Sequence, residues 1–134
     1  MTIAAILTAI AVPSYRSYVE RVKVTQAVVG MATMSGLIQR YYTLHSSVPP
    51  DLSAIGWDTV LDPWGTPYRY LSFQGLNGKG QMRKDKNLVP INTQYDLYSM
   101  GADGQSVPPL TAKVSRDDVI LANDGNYIGL ASAY

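Results

Sequence analysis

The first 45 residues of the chain change their hydrophobic pattern at one proline, Pro13. Residues 1–13 are apolar on all sides of a helix, and the first charged residue is Arg16. A helix of this kind needs apolar surroundings all round. The uncharged residues 1–15 would rise only about 22 Å as a helix, whereas the hydrocarbon layer of a bilayer is roughly 30 Å thick. We therefore expect the segment to be too short to cross a membrane as it stands.

After Pro13 the apolar positions recur at steps of three and four residues, which predicts an amphipathic helix over 14–45. One apolar face near its start holds Tyr15, Tyr18, Val19 and Val22. We expect the helix to pack one side onto a core, through a stripe that continues along Val24, Ala27, Val28, Met31, Met34, Ile38, Tyr41 and His45. The two prolines at 49 and 50 end the helix, because the residue before a proline avoids helical geometry.

The remaining residues, 46–134, predict a small sheet domain with long loops. Alternation and aromatic content predict strands at 68–73, 87–92 and 95–100, and short apolar pieces follow at 119–121 and 127–130. A long polar loop, residues 105–118, separates the third strand from these pieces. Loops of this length in a compact domain usually carry a function or are held by a cross-link.

Composition narrows the classes of function. The chain has 134 residues, enough for one domain. Its 11 basic and 10 acidic residues give a net charge of +1, which argues against a dedicated nucleic-acid binder. It contains no cysteine, so disulfides, thiolate zinc sites and cysteine nucleophiles are excluded. His45 is the only histidine, no nucleophile-elbow motif accompanies it, and we expect no enzymatic activity.

Three motifs, spread along nearly the whole chain, carry a resemblance to a known family. The segment Ile10-Ala-Val-Pro-Ser-Tyr15 resembles the proline-containing helix of type IV pilins and type II secretion pseudopilins. Two further segments, Asp62-Pro-Trp-Gly-Thr-Pro-Tyr-Arg-Tyr70 and Tyr95-Asp-Leu-Tyr-Ser-Met-Gly-Ala-Asp-Gly104, resemble the major pseudopilin of type II secretion more specifically. The three motifs stand in the family's order.

The resemblance implies an α+β fold, in which a long amino-terminal α-helix (1–45) packs on a small antiparallel β-sheet in a domain (46–134) with long carboxy-terminal loops. It also implies a structural subunit that polymerises into a helical filament. Before assembly the apolar helix would hold the subunit in the inner membrane, with its bulk in the periplasm. After assembly the filament core would take up Ile3, Ile6, Leu7, Ile10, Val12 and Pro13. The implied partners are further copies, other minor pilins or pseudopilins and the assembly machinery, with no nucleic acid expected.

Two functions within this family remain open. The Gly-Ala-Asp-Gly turn and the absence of cysteine favour the major pseudopilin, whose periplasmic filament drives export of folded proteins. The alternative is a major or minor subunit of a type IV pilus for adhesion, motility, DNA uptake or surface electron transfer. A stand-alone calcium-dependent binding module is disfavoured, because such a module would not expose the apolar first segment.

Members of the family begin differently from this chain. They carry a prepilin peptidase site, a phenylalanine and an apolar run with a glutamate near its start, none of which occurs here. Counting back from Pro13, about nine residues of the family's helix are missing, and they would bring the apolar span to roughly the 20 residues of a membrane crossing. We therefore expect the sequence to be amino-terminally truncated, and the family's glutamate is assigned to no residue.

Pro13 predicts a weak point in the helix. Proline removes one backbone hydrogen bond and leaves a carbonyl without its partner. One hypothesis is that residues 5–13 lose helical form in the filament. The alternative is that Pro13 introduces only a kink.

The resemblance also implies a structural calcium ion in the carboxy-terminal loop, where many pilins have a disulfide. The family's pattern maps onto Asp103 and the Met100 carbonyl, and Asp117 and Asp118 match the later ligands best. Calcium takes six to eight oxygen ligands, which carboxylates and carbonyls supply. The segment Asn123-Asp124-Gly125 is a rival acidic turn, and the alternative to calcium is that these aspartates only cap helices and turns.

Several other residues have two interpretations. Lys79, Arg83, Lys84 and Lys86 form a basic patch, which we interpret as a solvated loop or as a surface that pairs with Asp51 or Asp58 of a neighbouring subunit. We expect His45 to cap or pack at the end of the helix. Trp57 and Trp64 are expected to anchor the core and a turn rather than to bind sugar.

Overall fold

The computed structural model describes the backbone of residues 2–134 and the side chains of residues 9 and 12–134. It contains one long helix, α1 (Thr2–His45), and four strands, β1 (Arg69–Ser72), β2 (Tyr95–Ser99), β3 (Val119–Ala122) and β4 (Tyr127–Leu130). The expected α+β class is confirmed, with one long amino-terminal helix and one four-stranded antiparallel sheet.

Helix α1 runs through Pro13 without a break and ends where the sequence predicts. At its carboxyl end Ser46 adopts a positive φ of 57°, and its N–H donates to the Tyr42 carbonyl at 2.7 Å. The predicted filament-core side chains of Ile3, Ile6, Leu7 and Ile10 lie outside the described residues, whereas Val12 and Pro13 are exposed. Within the described part of the chain, no helix combines the length and the apolar character that a membrane crossing requires.

The second half of α1 packs on the domain through the predicted stripe. Ala27, Met31, Met34 and Ile38 are fully or almost fully buried. His45 is exposed, but its Nδ1 lies 3.0 Å from the Tyr41 carbonyl oxygen and its ring stacks on the Tyr41 ring, which fits the expected role at the helix end.

The apolar face near the start of the amphipathic half does not pack on the core. Tyr15 is 69% exposed, Tyr18 is 61% exposed, and Val22 is also exposed. Only Val19 of this face is half-buried. These residues precede the point where α1 meets the sheet, so nothing within the described chain covers them.

The sheet is a simple meander in the order β1-β2-β3-β4, and both of its faces are covered. Val119 and Leu121 point to one face, where they form a core with Met31, Met34 and Leu97. Ile120 and Ala122 point to the other face and pack with Ile91 and Leu110 of the long loops and with Ala131, which follows β4. Strand side chains alternate between the two faces of a sheet, and both faces are covered here. All four residues of β3 are therefore buried.

A glycine allows the sheet domain to approach α1 closely. A Cβ on Gly30 would lie 2.8 Å from the Tyr68 hydroxyl oxygen and 3.8 Å from the Trp57 ring. Tyr68 is buried and meets Trp57 edge-on at 6.4 Å between ring centroids. Trp57 therefore helps to anchor the core, as expected from the sequence.

The strand predicted at 87–92 is wrong. Among the described residues, the segment between β1 and β2 forms only isolated bridges, and Asp85 and Leu88 close a tight turn with two backbone hydrogen bonds. Pro90 has no N–H to donate to a ladder. Ile91, whose apolar character suggested a strand, is instead buried in the core on the loop-covered face of the sheet.

Candidate metal centre

The end of β2 and the start of β3 lie side by side and bring together two segments that are distant in sequence. Ser99 pairs with Val119 in the antiparallel ladder. Met100 follows Ser99 and is half-buried, while Asp118 immediately precedes Val119 and is fully buried. The sheet register therefore places the Gly101–Gly104 turn next to residues 117 and 118.

The turn can approach Asp117 because residue 101 is a glycine. Gly101 has a φ of 66°, and a Cβ there would overlap the backbone carbonyl of Asp117. A non-glycine residue at this position would face both a strained backbone and a steric clash. The glycine that follows Met100 is thus required by the close packing of the two loops.

Three carboxylates meet at this point. One oxygen each from Asp103, Asp117 and Asp118 lies within 4.8 Å of the other two. The Asp103 backbone N–H donates to Asp117 Oδ2 at 3.0 Å, and Asp103 Oδ1 accepts from the Gln105 backbone at 2.9 Å. The structure thus brings together three of the four residues that the resemblance implied, with Met100 in the adjoining turn.

Asp118 is held by a buried ion pair with Arg83. Arg83 Nη2 lies 2.7 Å from Asp118 Oδ2, and both side chains are almost fully excluded from solvent. The Ser106 hydroxyl donates to the same carboxylate oxygen at 2.5 Å. Asp118 Oδ1 makes no hydrogen bond, and neither does the buried Asp117 Oδ1.

The prediction that Arg83 belongs to a solvated basic patch is wrong. Its Nη1 donates to the Val107 carbonyl at 2.8 Å and to the Ser106 hydroxyl, and its guanidinium carbon lies 4.3 Å from the centroid of the Tyr98 ring. A planar guanidinium with several donors makes these contacts at once, which a lysine cannot do. Lys79 and Lys86 remain exposed and Lys84 is half-buried, so only Arg83 leaves the patch.

Burial raises the carboxyl pKa values at the cluster. Burial raises the pKa of Asp118 to about 6, although the Ser106 hydroxyl and Arg83 act in the opposite direction. Burial also raises the pKa of Asp117, and the nearby negative charge of Asp103 adds to this effect. Both shifts mean that the ionised forms of these two carboxyl groups are less favourable in the folded chain than in water.

The donor set fits a hard divalent cation. It offers three carboxylates, of which two have a buried oxygen that no protein donor reaches. Carboxylate and carbonyl oxygens are the ligands that Ca²⁺ takes in flexible geometry. The alternative function of these aspartates is to cap turns. It explains the hydrogen bonds that Asp103 Oδ1 and Asp117 Oδ2 accept, but it gives no role to the two unpaired oxygens.

The rival acidic turn, Asn123-Asp124-Gly125, holds another loop instead of contributing to the cluster. Asp124 Oδ1 accepts hydrogen bonds from the backbone and the hydroxyl of Thr93, at 2.7 and 3.0 Å. The Asp124 backbone in turn donates to the Asn92 side chain at 2.9 Å. Asp124 therefore closes a turn and is not a member of the carboxylate cluster.

Two of the motifs that carry the family resemblance are joined directly beside the cluster. Asp62 Oδ1 accepts from the backbone of Trp64 and Thr66, which holds the Asp62–Pro67 turn. Asp62 Oδ2 accepts from the Ser99 hydroxyl at 2.6 Å, and Ser99 Oγ accepts from the Gly101 backbone at 3.2 Å. Asp62 thereby supports the Gly101–Gly104 turn, a role that sequence reasoning missed.

Trp64 connects the same turn to the helix. Its Nε1 donates to Glu20 Oε2 at 3.1 Å, and its ring packs against the main core. An open apolar cleft of about 490 Å³ lies between α1 and the cluster, with Trp64, Val24, Leu130 and Asp117 among its walls. The expectation that Trp64 anchors a turn agrees with these contacts.

Comparison of the chain with protein-family models, with curated proteins and with solved structures finds no match.

Proposed function

We propose that the chain is a structural subunit that polymerises into a helical filament of the type IV pilus class, most specifically as the major pseudopilin of a type II secretion system. Its partners would be further copies, minor pilins or pseudopilins and the assembly machinery. The inner membrane would hold the subunit before assembly. The proposal rests on one structural observation together with the three sequence motifs.

That observation is the uncovered face of α1. Every described side chain from Val12 to Tyr18 is exposed. Further along the helix, Val22 and Val29 are also exposed, on the side that does not contact the sheet. Tyr15, Tyr18, Val22 and Val29 follow one another at steps of three, four and seven residues, which places them on one face.

Such a face suits packing between helices of neighbouring copies. Aliphatic residues at heptad spacing form a seam between α-helices, and tyrosine places an apolar ring and a polar tip at an interface. Under the proposal the copies would be shifted along the filament axis, so that different parts of this helix face meet and the contacts from copy to copy would be head-to-tail. Head-to-tail contacts that do not close into a ring generate an open helical filament.

The carboxylate cluster supports the pseudopilin rather than a disulfide-fastened pilin. The chain has no cysteine to fasten the long connection between β2 and β3. We propose that Ca²⁺ bound by Asp103, Asp117 and Asp118, with the Met100 carbonyl as a further ligand, fastens it instead. The bound ion would offset the repulsion among three carboxylates and satisfy the two unpaired oxygens.

The chain has no cysteine, so a single introduced cysteine is the one site in it that a thiol reagent can label. Single substitutions Val22→Cys and Val29→Cys would be made in the chromosomal gene, so that the protein is produced from its natural start in cells with the assembly machinery. Thiol labelling is then compared between the detergent-solubilised subunit and the polymer fraction. Lys86→Cys, an exposed position in the loops on the other side of the sheet, is the matched control.

We expect Val22→Cys and Val29→Cys to label in the subunit and to be protected in the polymer, with Lys86→Cys labelled in both. Equal labelling of all three positions in the polymer, or no polymer at all, would contradict the proposal. Filaments confined to the periplasm, with secretion lost on deletion of the chain, identify a pseudopilin. Filaments on the cell surface identify the type IV pilus alternative.

A further inference from the structure

The buried Arg83 is the only basic group that contacts the carboxylate cluster among the described residues. Its Nη2 binds Asp118 Oδ2, its Nη1 binds the Val107 carbonyl and the Ser106 hydroxyl, and its backbone N–H donates to Asp96 Oδ2 at 2.7 Å. Tyr98 covers one side of the guanidinium. The side chain is therefore fixed by groups from several different segments.

This arrangement determines which oxygens remain for a cation. Asp118 Oδ2 is occupied by Arg83 and Ser106, whereas Asp118 Oδ1 is buried and unpaired. Rotation of the Asp118 carboxylate would break the ion pair, so Arg83 fixes the direction in which the free oxygen points.

Arg83 also determines the charge that a cation meets. Three ionised carboxylates carry three negative charges, and the guanidinium reduces the total to two. A divalent ion neutralises such a site, whereas a trivalent ion leaves an excess positive charge in a poorly solvated place. Charge interactions among buried groups are strong enough to affect the choice between ions of similar size.

We infer that Arg83 is a positioning and specificity residue of the metal centre. Arg83 orients Asp118 Oδ1 and makes the site prefer a divalent to a trivalent cation. This inference rests on the proposed calcium site, not on filament formation. Its two parts are separable, because a lysine keeps the charge but loses the several simultaneous contacts, and a methionine loses the charge.

The experiment measures the affinities of the chain for Ca²⁺ and for Tb³⁺, an ion of similar size and higher charge. The chain is held in a neutral detergent at pH 7.5 after removal of metal by chelation, and the two ions compete for the site. The variants are Arg83→Met and Arg83→Lys. Lys86→Met removes the same charge from the exposed surface of the same loop and is the control.

We expect Arg83→Met to raise the ratio of Tb³⁺ to Ca²⁺ affinity by about tenfold or more, because a trivalent ion gains more from the lost positive charge than a divalent ion does. Arg83→Lys keeps the ratio but weakens Ca²⁺ binding by about tenfold, because one ammonium group cannot contact Asp118, Ser106 and Val107 together. Lys86→Met changes neither quantity, since surface charges are screened.

An unchanged affinity ratio in folded Arg83→Met would overturn the specificity role, and unchanged Ca²⁺ affinity in Arg83→Lys would overturn the positioning role. If circular dichroism shows that Arg83→Met is unfolded, Arg83→Gln replaces it, and Arg83→Lys decides the positioning role in any case. A wild-type chain that binds no Ca²⁺ overturns this inference. Filament formation is judged separately by the thiol-protection experiment.

Discussion

Arg83 Nη2 and Asp118 Oδ2 lie 2.7 Å apart, and both side chains are almost completely buried. The two residues come from different long connections of the sheet, one between β1 and β2 and the other between β2 and β3. The ion pair therefore adds a buried side-chain link between two loops that also meet through backbone hydrogen bonds of Lys84 with Pro108 and Leu110. It does so at the same carboxylate that we assign to the metal centre.

Removing the acidic partner tests the structural importance of this pair. Asp118→Leu leaves the buried guanidinium and the Ser106 hydroxyl without the oxygen that accepts from them, so we expect the free energy of unfolding to fall by about 3 kcal/mol, as is typical when one partner of a buried pair is removed. The loss is expected in chelator as well as in calcium. Asp103→Asn, at an exposed position, should lower stability only when calcium is present. Thermal unfolding followed by circular dichroism distinguishes the two patterns, and equal behaviour of the variants would contradict the account.

The pH dependence of stability follows from the raised pKa of Asp118. In the folded chain this pKa is about 6, above its ordinary value of 3.8. The folded state therefore binds the proton more tightly, and the stability gained from protonation is lost as pH rises from about 4 through 6. In chelator we expect a higher melting temperature at pH 5 than at pH 7.

Calcium should reverse this trend, because the ion binds the ionised carboxylates that dominate at pH 7. The rise in melting temperature on adding calcium is therefore expected to be larger at pH 7 than at pH 5. In Asp118→Asn the proton-linked part of the trend should disappear. A wild-type chain whose apo stability increases between pH 5 and pH 7 would speak against a protonated, buried Asp118.

Two glycines of α1 provide a matched pair of substitutions. Replacement of glycine by alanine within a helix usually gains about 1 kcal/mol of stability. A Cβ at Gly36 meets no atom within 4 Å, so Gly36→Ala should stabilise the chain by up to about that amount. A Cβ at Gly30 would lie 2.8 Å from the buried Tyr68 hydroxyl, so Gly30→Ala should destabilise it by about 1–2 kcal/mol. Urea unfolding measures both, and stabilisation by Gly30→Ala would show that α1 and Tyr68 are not packed as described.

Substitution of the exposed tyrosines distinguishes an effect on folding from an effect on assembly. Tyr15 and Tyr18 make no contact that buries them in the subunit. Tyr15→Ser with Tyr18→Ser should therefore leave the melting temperature unchanged within about 1 °C, since exposed substitutions cost little. The same double variant should reduce the polymer recovered from cells several-fold. Normal polymer yield would indicate that this face of α1 is not the interface between copies.

The sequence predicts the regular elements well, because hydrophobic periodicity depends on local spacing. Steps of three and four residues locate α1 and its buried stripe from Ala27 to Ile38, and alternation locates β1 and β2. The two short apolar pieces became β3 and β4. The predicted strand at 87–92 failed because an apolar residue such as Ile91 packs equally well from a loop.

The candidate site was predictable only in part. The three aspartates were chosen through a family resemblance, and the register of Ser99 with Val119 explains why they meet. Nothing in the local sequence distinguishes Arg83 from the lysines around it, except that arginine is the residue best able to make several buried hydrogen bonds. Its role depends on contacts with Tyr98, Ser106 and Asp118, which only the folded chain brings together.

The central claim is that copies of this chain assemble through the uncovered face of α1, and an electron cryo-microscopy map of the polymer tests it most directly. We predict a filament in which α1 helices from neighbouring copies pack around the axis, with Tyr15, Tyr18, Val22 and Val29 buried between them. The same map should show whether α1 is helical or unwound over residues 5–13. A filament in which this face of α1 points to solvent would contradict the account.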